Sequence, residues 1–145
     1  MKLGSVLVTE FQSIRNSNSF SIGDITCLVG KNEAGKTALL RALYRLNPIV
    51  TTNTKFDVID DYPRAYVEDY RHSVETKQRS PAIVIEANFT LDKSEISQIE
   101  SELGTGILKS SILTLSKGYE NTLLVSLEIN ENVAINEVDP ISRTV

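Results

Sequence analysis

Gly30 and Gly35, five residues apart and followed at once by Lys36 and Thr37, are the residues of this chain best placed to do chemistry. Residues 30–37 read G-K-N-E-A-G-K-T and fit the pattern G-x-x-x-x-G-K-[ST]. Glycines at these two positions let the backbone curl, so that several N–H groups point into one concavity. Together with the positive end of a following helix, those donors cradle an anion. Lys36 adds a mobile point charge with the reach for β- and γ-phosphates, and the Thr37 hydroxyl is a ligand for Mg2+. The chemistry is therefore the binding of a nucleoside triphosphate's tail. Composition alone would match these four fixed positions about once in two hundred chains of this size.

Such a loop works only between a buried strand and a helix, and the flanking residues have the right character for both. The apolar run ITCLV (25–29) predicts a strand covered on both faces. A helix is expected from Gly35 or Lys36. Leu39, Leu43 and Leu46 form its buried stripe, Leu40 and Ala42 lie beside them, and Arg41 and Arg45 share another face. Asn47-Pro48 stops it. Upstream, residues 2–10 predict a strand, NSNS (16–19) a turn and FSI (20–22) a short strand.

Downstream, residues 50–80 are expected to be largely irregular, with Asp61 capping one short helix over 63–71 and a loop over 72–80. Residues 82–91 predict a strand. Asp92 and Glu95 then form a capping box, Leu91 and Ile96 a hydrophobic staple, and Gly104 ends that helix. Residues 111–116 and 122–129 predict two strands joined by a turn, and 133–138 a third. The expected fold is α/β, with a mixed, largely antiparallel sheet and two main helices in one domain over 1–145.

The 145 residues, 41% apolar and 23% charged, are those of an ordinary globular domain. No apolar run approaches the ~20 residues that cross a bilayer. Glu10 interrupts the N-terminal apolar stretch, so that stretch predicts a strand and not a secretory signal. The single cysteine, Cys27, allows no internal disulfide and points to a reducing cytoplasm; inside ITCLV it is expected to be buried and inert. Residues 1–50 hold six basic and three acidic side chains, whereas 51–145 hold nine and sixteen. That acidic remainder argues against a grip on nucleic acid by bulk charge. No N-K-x-D or D-x-x-G string occurs, against a small GTPase, and the lone His72 excludes a histidine-based metal cluster.

The wording of the loop narrows the class. G-x-N-x-x-G-K-T before a leucine-rich helix, preceded by F-Q-S-I (11–14) and a short strand, resembles the ABC-type P-loop ATPase heads of the SMC, RecF and OLD (overcoming lysogenization defect) group over residues 3–46. DYPR (61–64) is loosely similar to the OLD-like members. The resemblance implies a phosphate loop of Gly30, Asn32, Glu33, Ala34, Gly35, Lys36, Thr37 and Ala38, with Thr37 on Mg2+, ATP as the nucleotide, and Phe11, Gln12 and Ser13 near it. Many relatives have Arg at the position of Gln12.

Such heads also need a carboxylate at a strand end and an L-S-G-G-like segment donated by a second head. Glu86 in AIVIE, VIDD (58–61) and Glu128 in LLVSLE are poor matches to the first, and LSKGYE (115–120) is a hairpin turn rather than the second. Gln78 and Gln98 lie in no persuasive position for the Q-loop glutamine. The resemblance thus implies an N-terminal, Walker A portion of a longer head that dimerises and handles DNA in repair or phage defence. By itself this portion would bind nucleotide and hydrolyse little. The alternative is a non-hydrolysing nucleotide sensor or assembly module.

Overall fold

A computed structural model describes residues 1–28, 33–49 and 54–132. Strands β1 (Lys2–Phe11), β2 (Ile14–Asn16), β3 (Phe20–Ser21), β4 (Ile83–Thr90), β5 (Leu108–Gly118) and β6 (Leu124–Ile129) make one sheet. Its order is β2-β1-β4-β5-β6, with β3 also on β1, and all of these pairings are antiparallel. The helices are α1 (Glu33–Leu46), α2 (Val58–Asp61), α3 (Val67–Glu75) and α4 (Lys93–Leu103). The expected strand over 133–138 lies outside the described residues.

Period-two alternation builds the centre of the sheet. Val6 and Val8 of β1 face the core, opposite Ala87 and Ile85 of β4. Continued alternation would turn Glu10 inward and Phe11 outward. Glu10 instead takes a left-handed backbone (φ 52), which reverses the alternation and buries Phe11 completely. The core is closed by Ala38, Ala42 and Leu46 of α1 together with Phe56.

This corrects the expected face of α1. The buried stripe is Ala38, Ala42 and Leu46, because alanines let the helix lie close on the sheet. Leu39 and Leu43 are only half-buried; with Leu3, Phe20, Leu28 and Leu40 they line a groove of about 250 Å3.

Residues 50–80 also need correcting. Asp57 caps α2, accepting from the amides of Ile59 (2.8 Å) and Asp60 (3.1 Å), and a 3-10 turn over Arg64–Tyr66 leads into α3. The helix thus runs on through His72–Glu75, where a loop was expected. Tyr70 and Val74, four apart, supply the inward face that the polar string conceals. Asp61 ends a helix instead of starting one. The capping box of α4 forms as the sequence implies: the Asp92 carboxylate accepts from the Glu95 amide (2.8 Å), and Glu95 accepts from the Asp92 amide (2.9 Å).

A second cluster joins α2 and α3 to the sheet. Tyr62 stacks on Tyr70 with ring centroids 4.1 Å apart, and Tyr119 touches both rings and Phe56. The Tyr119 hydroxyl donates to the Glu10 carbonyl and so holds the kinked end of β1. Burial, reinforced by the Asp61 carboxylate and the neighbouring tyrosines, holds the Tyr119 phenol far above its ordinary value of 10.

The stability consequence has a definite sign. A raised folded-state value contributes stability that is complete below pH 10 and is lost as pH rises above it, where the unfolded phenol ionises and the folded one resists. Thermal midpoints should therefore fall above about pH 10, and Tyr119→Phe should make that fall shallower. Equal slopes for the two proteins between pH 9 and 11.5 would contradict the assignment.

Candidate nucleotide site

α1 begins at Glu33, two to three residues before the expected start, so its first turn is Glu33–Lys36, and Thr37 and Ala38 open the second. Gly30 and Asn32 lie outside the described residues, and Glu33 and Ala34 are placed here only as backbone of the helix start. The N–H groups of a helix's first turn point along the axis away from its body, where the helix dipole is positive. Ala38 is fully buried and docks this turn on the core, so its neighbours look outward: Lys36 is half-buried and Thr37 exposed. Among the described residues, no carboxylate lies within ion-pair distance of Lys36. A helix start, an ammonium and a hydroxyl on adjacent residues form a donor set suited to a polyphosphate with its divalent cation.

The segment before the loop departs from expectation. Residues 25–28 are not a strand, Ile25 is 89% exposed, and Cys27 is exposed too. An apolar run acquires ladder bonds and cover only from neighbours. Here β1 has β4 along one edge and β2 and β3 along the other, and residues 25–28 pair with none of the described strands. Periodicity reports appetite for burial but cannot supply the partner.

The described contacts of the F-Q-S-I step are with Phe56 and Asp61. Phe11 is a core aromatic, packed edge-on against Phe56 at 5.4 Å. Gln12 turns the corner between β1 and β2 with a left-handed backbone, and its amide and side chain both engage Asp61. Asp61 pairs in turn with Arg45, in the last turn of α1, two turns beyond Thr37.

The carboxylates weighed as Mg2+ supports are similarly placed away from the first turn. Glu86 is half-buried mid-strand in β4, between core-facing Ile85 and Ala87, and Glu128 is exposed on β6. LSKGYE closes β5 at Gly118 and turns through Tyr119 and Glu120 toward β6. Among the described residues, no three His, Cys, Asp or Glu converge on a metal site, and no helix is long and apolar enough to cross a membrane.

One element needed no geometry to be found but gains meaning from it. Arg45 was visible in the sequence only as one of two arginines on a helix face. Its partner lies sixteen residues away, in a segment expected to be irregular.

Residues 1–140 match the AAA ATPase domain family. The chain belongs to that family. No curated protein sequence matches it. Membership in the AAA ATPase domain family makes ATP the expected ligand of this fold, and the start of α1, with the side chains of Lys36 and Thr37, is a part of the described structure with donors for its phosphates.

Proposed function

We propose that this AAA ATPase domain binds Mg-ATP at the N-terminus of α1 and forms the Walker A part of an SMC- or OLD-type head acting on DNA, in repair, processing or phage defence. The observation that carries the reading is Lys36 and Thr37 side by side where the first turn of α1 passes into the second, at the end of the G-x-N-x-x-G-K-T string. The F-Q-S-I step and the D-Y-P-R string support the SMC and OLD assignment by resemblance.

In this reading Gly30 and Asn32 lead into α1, whose opening residues Glu33, Ala34, Gly35 and Lys36 would present their free backbone N–H groups to the phosphates, with Ala38 docking the helix start on the core. Lys36 would neutralise charge on the β- and γ-oxygens, and Thr37 would give its hydroxyl to Mg2+. Thr37 would hold the Mg2+, which would supply Lewis-acid withdrawal of phosphate charge. Hydrolysis would require a strand-end carboxylate and a signature segment from a second head; pairing of two heads and contact with DNA belong to the same proposal. A nucleotide sensor without hydrolysis would use the same first turn.

Titration calorimetry with ATP, with and without Mg2+, tests the site. Wild-type affinity should rise with Mg2+, and Thr37→Ala should weaken Mg-ATP about tenfold while leaving metal-free ATP binding nearly unchanged, since one charge-assisted ligand contact is lost. Equal affinities of the two proteins for Mg-ATP would remove Thr37 from the site.

A further inference from the structure

Asp61 heads the D-Y-P-R string, to which the nucleotide site assigns no role. It is 4% exposed, and three parts of the chain meet on it. One carboxylate oxygen accepts from Arg45 Nη1 at 2.8 Å and from the Asp57 amide at 2.9 Å. The other faces Gln12 Nε2 at 3.4 Å, and the Asp61 carbonyl accepts the Gln12 N–H. The last turn of α1, the start of α2 and the β1–β2 corner are thereby tied together.

The way α1 packs gives this tie a consequence. Its fully buried face is Ala38, Ala42 and Leu46, with Leu39 and Leu43 packed half-buried beside it. Methyl groups let a helix lie close to a sheet, but they form shallow ridges that resist sliding weakly. The pins against sliding stand at the C-terminal end: the Arg45–Asp61 pair, the Lys117 ammonium donating to the Arg45 carbonyl at 2.9 Å, and the guanidinium lying 5.6 and 5.7 Å from the Phe11 and Phe56 rings. A helix of this length is a rod of roughly 20 Å, so an axial shift at Arg45 reaches Lys36 undiminished. Misaligning one charge-assisted phosphate contact costs about 1.5–3 kcal/mol, roughly ten- to a hundredfold in affinity.

We infer that Asp61 is a positioning residue for the phosphate end of α1: by holding Arg45 it sets the axial register of the helix on the sheet. The inference rests on the first turn of α1 being the nucleotide cradle. Linkage makes it reciprocal: nucleotide held at Lys36 must tighten the clamp at the far end of the same rod.

Two measurements on the full chain test this. The first is Mg-ATP affinity and thermal midpoint of Arg45→Met/Asp61→Leu. An apolar pair of similar size can replace a buried ion pair with little loss of stability while removing its directional hydrogen bonds. The double variant should melt within a few degrees of wild type yet bind Mg-ATP roughly ten- to a hundredfold more weakly. The second is amide exchange at Gln12 in the wild type, which should slow when Mg-ATP saturates the protein.

Unchanged affinity in a folded double variant, or Gln12 exchange indifferent to bound Mg-ATP, would show that Asp61 is only structural. If the double variant does not fold, Arg45→Lys serves in its place. It keeps a charge pair but not the guanidinium geometry, and weaker Mg-ATP binding at a near-native midpoint is again the expected result. A wild type that binds no Mg-ATP at all overturns the nucleotide reading first and this inference with it; binding without coupling overturns this inference alone.

Discussion

Lys36→Ala abolishes measurable Mg-ATP binding while the thermal midpoint stays within about 2 °C of wild type. The two halves of that expectation have separate causes. Lys36 is half-buried in the first turn of α1, and no described carboxylate pairs with it. Its replacement by the best helix former should alter folding stability by no more than about 0.5 kcal/mol. Against a triphosphate, the same ammonium can make two charge-assisted hydrogen bonds, each contributing about 1.5–3 kcal/mol. Losing about 4 kcal/mol lowers affinity roughly a thousandfold, which takes a micromolar site out of range. Titration of both proteins with a fluorescent ATP analogue decides the matter, and equal dissociation constants would remove α1 as the cradle. Arg at this position should not restore full binding, since a planar fork cannot replace a compact, rotatable ammonium.

What could be read from the sequence, and what could not, divides by the range of the interactions involved. The capping box of α4, the end of α1 at Asn47-Pro48, the β5–β6 hairpin and strand β4 are set by residues a few positions apart, and each stands near its expected place. The glycine and lysine spacing of the loop is local too, so the proposal for Lys36 and Thr37 can be made from the sequence alone. The misreadings involve distant partners. Residues 25–28 have an apolar string but no described strand paired beside them; Leu28 is half-buried and Cys27 is exposed. Leu39 and Leu43 were the more hydrophobic choice for the packing face of α1, yet the sheet accepted the smaller Ala38 and Ala42. Asp61 was read as a cap because caps are local and Asp is a good one. Besides the nearby Asp57 amide, its partners Arg45 and Gln12 are sixteen and forty-nine positions away.

The β1–β2 corner has two left-handed non-glycine residues, Glu10 and Gln12, within three positions. Backbone of that kind persists only where the surroundings over-determine it. Here the surroundings are the Tyr119 hydroxyl on the Glu10 carbonyl, the Asp61 carbonyl on the Gln12 amide, and the burial of Phe11 between them. The corner, the D-Y-P-R string and the end of α1 therefore form one mechanical unit, and the sheet edge that supports Tyr119 matters as much to it as any charged residue.

That edge depends on Gly118. A methyl group added there would lie 2.1 Å from the Ala82 carbonyl oxygen and 2.8 Å from the Ile83 Cα, both backbone atoms that cannot rotate away. Gly118 pairs with Ile83 just where β4 and β5 slip register, and the next amide, of Tyr119, donates to Ala82 O at 3.2 Å. Gly118→Ala must push the end of β5 outward, carrying Tyr119 away from Phe56, Tyr62 and Tyr70. Overpacking against fixed backbone should cost about 3 kcal/mol, or a midpoint lowered by roughly 10 °C for a domain of this size. Gly106 supplies the control. Its φ of +75 is unfavourable to a side chain, but nothing lies within 4 Å of the position an added methyl would take. Gly106→Ala should therefore cost only the left-handed backbone strain, about 1 kcal/mol. If the two alanine variants unfold at the same denaturant concentration, close backbone approach at Gly118 is not what holds β5 against β4. If Gly118→Ala is the weaker by the expected margin, its tyrosine fluorescence should also report a loosened Tyr119 before global unfolding begins.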